Sequence, residues 1–305
     1  MARSGPALVY VHGAGTQPPE ADWVRIHNLI LFSDRAAPTT DLGYYADLMH
    51  RADDGTPGLP GTETPKPTVP DPPSAPRSAS ADLAQHEAAL QALGDSIHSS
   101  VAQEGRIHEA HLLLLRLAAA MGPTDHRSRF AMPGNVIPLA VRDFYRELSG
   151  YLHGTPGIAD AMRDRVRDAI GRNDGPLVVL AHSLGSIIAF DVLSEPDLAG
   201  RDVHFVTVGS PLSLGPVQDH LRAWRGSRPI EVPGGVATWR NFHANGDPVA
   251  VGSALEGLRN DFAPAPRIHS TEVRNDAEWH HALNGYLETP EVRDAIQGRL
   301  WWWSG

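Results

Sequence analysis

The sequence predicts an α/β protein whose mostly parallel sheet is covered by helices on both faces. Three observations carry this. Apolar, strand-like runs recur through the second half of the chain, separated by segments with helical spacing. The most apolar of them, Leu177-Val-Val-Leu-Ala181, lacks polar alternation, as a strand buried on both faces does. A first run of the same kind, Ala7 to His12, leads into a Gly-rich turn, His12-Gly-Ala-Gly15.

After the first strand, Asp22 to Phe32 carries Trp23, Ile26, Leu29 and Ile30 at helical spacing. A second short strand is expected over Asp41 to Asp47. Residues 53–80 differ in character, with eight prolines between Pro57 and Pro76 and few apolar side chains. Such a stretch buries too little surface to offset its ordering entropy, so it reads as an extended loop. From Ala81 to Met121 apolar residues recur at threes, fours and sevens, as in two helices or one broken helix. Residues 53–140 are therefore expected to be an insertion, a proline-rich loop plus a helical cap, within one domain spanning 1–305. His86, His98, His108, His111 and His126 fall in this stretch. His108 and His111 share a helix face, but a metal site would need further ligands at matched spacing. They read as solvated or core histidines, and no metal site is expected.

Beyond the insertion, Val141 to Leu152 and Ala159 to Ile170 read as helices, and Leu177 to Ala181 as a strand. Ser186 to Leu193 reads as a helix, and Val203 to Val208, Ala237 to Ala244 and Arg267 to Val273 as strands. A last helix runs from about Pro290 to Leu300. Three consecutive tryptophans, Trp301 to Trp303, cannot share one helix face. Packing on the core, a homodimer contact and plain exposure stay open for them.

Composition narrows the function classes. Across 305 residues there is no cysteine, so disulfides, thiolate metal sites and cysteine nucleophiles are excluded. The net charge of -10 argues against nucleic-acid binding, which needs a basic face. Of the 26 basic residues all but Lys66 are arginine, so Schiff-base chemistry has a single candidate, in the proline-rich stretch. The first apolar run is shorter than a signal peptide's, and no run approaches the ~18 residues of a membrane helix. A cytoplasmic protein without stable membrane insertion is expected.

The segment richest in chemistry is Ala181-His-Ser-Leu-Gly185, between a strand and a helix. It matches the Gly-x-Ser-x-Gly elbow with alanine for the first glycine. A serine at a strained apex brings the positions two before and two after into contact, so both must be small, as Ala181 and Gly185 are. The following helix aims its N-terminal amides at a reacting carbonyl oxygen. A serine needs a base, and the base an orienting acid. In the chain order that goes with such an elbow, serine, then acid, then histidine, Asp247 is the expected acid, in a turn just past the strand ending at Ala244. The histidines beyond it are His269, His280 and His281. His269 falls inside a strand, and His281 is favoured over its neighbour His280. His182 is expected to point away from Ser183 in a structural role.

Four marks, Val9-Tyr-Val-His-Gly-Ala14, Ala181-His-Ser-Leu-Gly185, Val206-Thr-Val-Gly-Ser-Pro-Leu212 and the Asp247–His281 pair, make the chain resemble the α/β-hydrolase superfamily, in its bacterial lipase-like or esterase-like branch. The resemblance implies an α/β-hydrolase fold with a sheet reduced to about six strands, because only six residues precede the first strand. It implies a Ser183–His281–Asp247 triad and an oxyanion hole made by the amides of Ala14 and Leu184. The expected activity is hydrolysis of a carboxylic ester (lipid-like, a lactone or another apolar ester) through an acyl-enzyme, with no metal or cofactor. The expected partner is the small-molecule ester itself. A thioesterase or acyltransferase using the same three residues is the alternative, and a non-catalytic binding protein on this fold comes third.

Overall fold

The computed structural model describes residues 5–15, 17–33, 35–49, 147–148, 150–152, 157–225, 230–244, 247, 249–250, 258, 262–263, 268–277 and 280–304. The insertion expected over 53–140, its five histidines and the start of the helix expected at Val141 lie outside these residues. Residues 147–148 and 150–152 are helical.

The elements in chain order are β1 (Ala7–Val11), α1 (Glu20–Phe32), β2 (Thr39–Gly43), α2 (Ala46–Met49), α3 (Ile158–Gly171), β3 (Leu177–His182), α4 (Leu184–Leu193), β4 (Val203–Val208), α5 (Gly215–Arg225), β5 (Ile230–Glu231), β6 (Val236–Ala244), β7 (Phe262–Ala263), β8 (Ile268–Val273), α6 (Leu283–Leu287) and α7 (Pro290–Ser304). Six strands form one sheet in the order β2-β1-β3-β4-β6-β8, and every pair is parallel. β5 and β7 form a separate parallel pair.

Alternate residues of the central strands feed two apolar layers, as a pleated strand requires. Val9, Val11, Val179 and Phe205 face one layer, with Met162, Val166 and Ile170 of α3, Leu184 to Leu193 of α4, and Val217 and Leu221 of α5. Leu8, Tyr10, Val178, Leu180, Val206 and Val208 face the other, with Trp23, Leu31 and Phe32 of α1, Tyr286 and Leu287 of α6, and Val292, Ile296 and Leu300 of α7. Helices therefore cover both faces, which is why the middle strands carry no polar alternation.

One element falls elsewhere than its sequence pattern indicates. The second strand is Thr39–Gly43, not Asp41 to Asp47, because parallel pairing with β1 ends where Val11 meets Gly43 and the chain then turns into α2. The three tryptophans follow the twist of α7. Trp303 packs partly against the second layer, whereas Trp301 and Trp302 are exposed. Arg35 stacks over Trp301, and Arg299 over Trp302 and Trp303. No described helix is long and apolar enough to cross a membrane.

The parallel register places the C-terminal ends of β1, β3, β4, β6 and β8 along one rim. The strand order reverses direction between β1 and β3. In open α/β sheets a crevice forms at that reversal, beyond the strand ends.

His204 on β4 supplies a test of this packing. It is buried and bonded to Thr238 Oγ1. Burial first, then the charges of Arg299 and Arg240, push its pKa from 6.5 down to about 4. The unfolded chain thus takes up this proton first as pH falls, so the folded state loses stability from pH 6.5 toward about 4. His204→Gln is expected to flatten the fall in urea-unfolding free energy between pH 7 and pH 5. An unchanged slope would contradict the burial of a neutral His204.

Candidate functional site

Ser183 stands between β3 and α4 with φ 52 and ψ -129. An L-residue pays a steric penalty in this region. The conformation is held because Ser183 N–H donates to Val208 O at 3.2 Å, and Ser186 donates to Ser183 O through its amide (2.9 Å) and hydroxyl (2.6 Å). The turn fits only because its neighbours are small. A Cβ on Gly185 would lie 2.2 Å from His12 O and 2.6 Å from Val11 O, so α4 begins against the end of β1. A Cβ on Gly13 would lie 2.9 Å from Ser183 Cβ, so the turn after β1 passes directly beside the serine.

His281 and Asp247 come to the same rim from the loops after β8 and β6. His281 Nε2 lies 2.9 Å from Ser183 Oγ, and its Nδ1 lies 2.9 and 3.0 Å from the two carboxylate oxygens of Asp247. With Nδ1–H donated to the carboxylate, Nε2 presents its lone pair to the serine hydroxyl. Ser183, Asp247 and His281 are all buried, at 1%, 2% and 8% exposure, so the chain of bonds is shielded from bulk water. Asp247 also accepts the amides of Val249 (2.9 Å) and Ala250 (3.2 Å) on Oδ1, and the Tyr286 hydroxyl on Oδ2 (2.5 Å). Burial pushes its pKa up, but the His281 imidazole and these donors outweigh that and hold it below the ordinary value. Gly209, at φ 56, leaves room for the pair: a Cβ there would lie 2.9 Å from Asp247 Oδ2 and 3.0 Å from His281 Nδ1.

Chemically, the arrangement gives the serine proton a short path to Nε2 and places a carboxylate where an imidazolium would form. Of the sequence candidates, Ser183, Asp247 and His281 come together. His280 instead bonds the Asn275 carbonyl through Nδ1 at 2.7 Å, and His269 lies exposed on β8. His182 is more than a spacer. Its Nε2 bonds the His281 carbonyl at 2.8 Å, and its ring packs on the His281 ring at 4.7 Å. Burial, then the neighbouring His281, lowers its pKa to about 3, so it stays neutral.

Leu184 is the first residue of α4, and Ala14 lies partly buried in the turn after β1. The next amide, Gly15 N–H, donates to Glu147 Oε1 at 2.8 Å. The turn is braced further by His12, whose Nδ1 donates to Gly13 O at 2.7 Å while Nε2 accepts Tyr45 N–H at 3.1 Å. The Tyr45 hydroxyl donates to His12 O, and its ring stacks on His12.

Sequence reasoning passed over Tyr45, Glu147, Asn275 and Tyr286. Glu147 meets Gly15 across 132 positions, with no local pattern to reveal it. Asn275 ties the loop that carries His281 through its side-chain amide to His280 O (2.8 Å) and Ala282 O (3.1 Å). Gly285 lets this happen, since a Cβ there would fall 1.8 Å from Asn275 Oδ1. Among the described residues no group of three or more histidines, aspartates or glutamates is placed to hold a metal ion.

No family model, curated protein or solved structure matches the chain.

Gly209→Ala is expected to destabilise the fold by about 1 kcal/mol or more, through positive φ and the push on the Asp247–His281 pair. Gly171→Ala, with open space around the new methyl, is expected to be neutral or stabilising. Urea unfolding of both variants checks the contrast, and equal stabilities would contradict the crowding at Gly209.

Proposed function

We propose that the chain is a serine hydrolase of the α/β-hydrolase kind that cleaves a carboxylic ester. The observation that carries this reading is the continuous bonding from Ser183 Oγ through His281 to Asp247, at 2.9 Å for each link to the imidazole, with the serine at a positive-φ apex. The six-stranded parallel sheet and its helices on both faces are compatible with it.

In this reading Ser183 Oγ attacks the ester carbonyl as His281 Nε2 takes its proton. The tetrahedral intermediate collapses when the imidazolium returns that proton to the leaving alcohol, which leaves an acyl group on Ser183. Water then attacks the acyl carbon, giving its proton to His281. Collapse releases the carboxylic acid and restores the serine hydroxyl. Asp247 holds the imidazole in the tautomer that exposes Nε2 and stabilises the imidazolium. The negative oxygen falls to the amides of Leu184 and Ala14. Leu184 is supported by its place at the N-terminus of α4, where helix amides are unsatisfied. Ala14 is supported by the engagement of the next amide, Gly15, with Glu147.

Short and medium p-nitrophenyl esters test the assignment. The wild-type chain is expected to hydrolyse at least one, and Ser183→Ala and His281→Ala are each expected to lower kcat by about 10⁴-fold or more while leaving the melting transition in place. Full activity in Ser183→Ala would remove the serine from the mechanism.

A further inference from the structure

Asp247 is held by Tyr286 as well as by His281. The Tyr286 hydroxyl donates to Asp247 Oδ2 at 2.5 Å and accepts Ala244 N–H at 3.0 Å. The side chain is fully buried on α6, five positions after His281. Because the Ala244 amide already supplies the proton in one of these bonds, the single hydroxyl proton must point to Asp247. Burial, and then the charge of Asp247, raise the phenol far above its ordinary pKa, so it remains a donor. The other carboxylate oxygen is pinned by the Val249 and Ala250 amides. Two different segments therefore grip the two oxygens and resist rotation of the carboxylate.

We propose that Tyr286 is a positioning residue whose hydroxyl, suspended between the Ala244 amide and Asp247, fixes the carboxylate against His281 Nδ1. This rests on the reading of Ser183 as the nucleophile. The Tyr286–Asp247 bond is stronger while His281 is neutral, because the carboxylate charge is then uncompensated, and weaker against an imidazolium. The hydroxyl thus favours the form of the pair that can accept the serine proton. Among the described residues the ionisable groups nearby include His182 on β3, His243 on β6 with Glu272 of β8 beside it and, next to His182, His27 on α1. Burial lowers all three histidines from 6.5, His182 to about 3.

Tyr286→Phe, in the whole 305-residue chain, keeps the ring and removes the hydroxyl. For a p-nitrophenyl ester, kcat is expected to fall by about tenfold to a hundredfold. KM should change by less than about twofold. The acid limb of the pH–rate profile should move to higher pH, a shift that looser packing alone would not produce. Wild-type kcat with an unmoved limb would overturn the role. If the phenylalanine variant does not fold, a ring-fluorinated tyrosine at position 286 keeps the shape and strengthens the donor. The limb should then move to lower pH, and no movement would overturn the role. A fluorophosphonate probe separates the two readings. If it labels Ser183 in the wild type and Tyr286→Phe reacts equally fast, the positioning role alone falls. If it leaves the wild type unlabelled, the reading of the site falls and the role with it.

Discussion

A serine held at positive φ between a buried strand and a buried helix is the constraint on which the rest of the site depends. Such a conformation costs about 1–3 kcal/mol, and it persists only where its surroundings leave no alternative. Here β3 is buried up to Ala181 and every residue of α4 is buried, so neither flank can relax without opening the core. Ser33 makes the contrast. It has a similar φ of 54, but it caps α1 in the open and can adjust at little cost. The same apex sets the requirements on its neighbours. Gly185 must meet the carbonyls of Val11 and His12, and Gly13 must pass beside the serine. The turn after β1 and the β3–α4 apex are thereby joined at one point.

Around that apex burial and hydrogen bonding set the charges of Asp247 and His182. Asp247 is stripped of water yet kept anionic by His281, Tyr286 and two backbone amides. His182 is kept neutral by burial, so it holds His281 by its backbone carbonyl without adding a competing charge. The loop that carries His281 is braced by Asn275, which needs Gly285 for its approach. The turn after β1 is made rigid by Tyr45 and Glu147. In the proposed reading the reacting groups are few, and most of these bonds serve to aim them.

Much of this was legible in the sequence where physics acts locally. The central strands stand out because burial on both faces removes polar residues, and α4 because it follows a strand through a Ser-Leu-Gly turn. Serine and acid could be placed for the same reason, since each lies just past a strand end. The rest depends on contacts that sequence spacing does not encode. His280 and His281 share one turn, and Asn275, not their local pattern, decides which faces the serine. Thr39–Gly43 lacks an apolar run, so its strand state comes from pairing with β1. β5 and β7, two residues each, are too short for any periodicity. Nothing in the sequence around Tyr286 announces a partner 39 positions upstream.

Mass spectrometry of the chain, quenched shortly after mixing with a reactive p-nitrophenyl ester, reads the proposed acyl-enzyme on Ser183 directly. If Ser183 is the nucleophile, a single acyl adduct maps to Ser183 and disappears as hydrolysis completes. Ester turnover with no adduct, or with the acyl group on another residue, would contradict it.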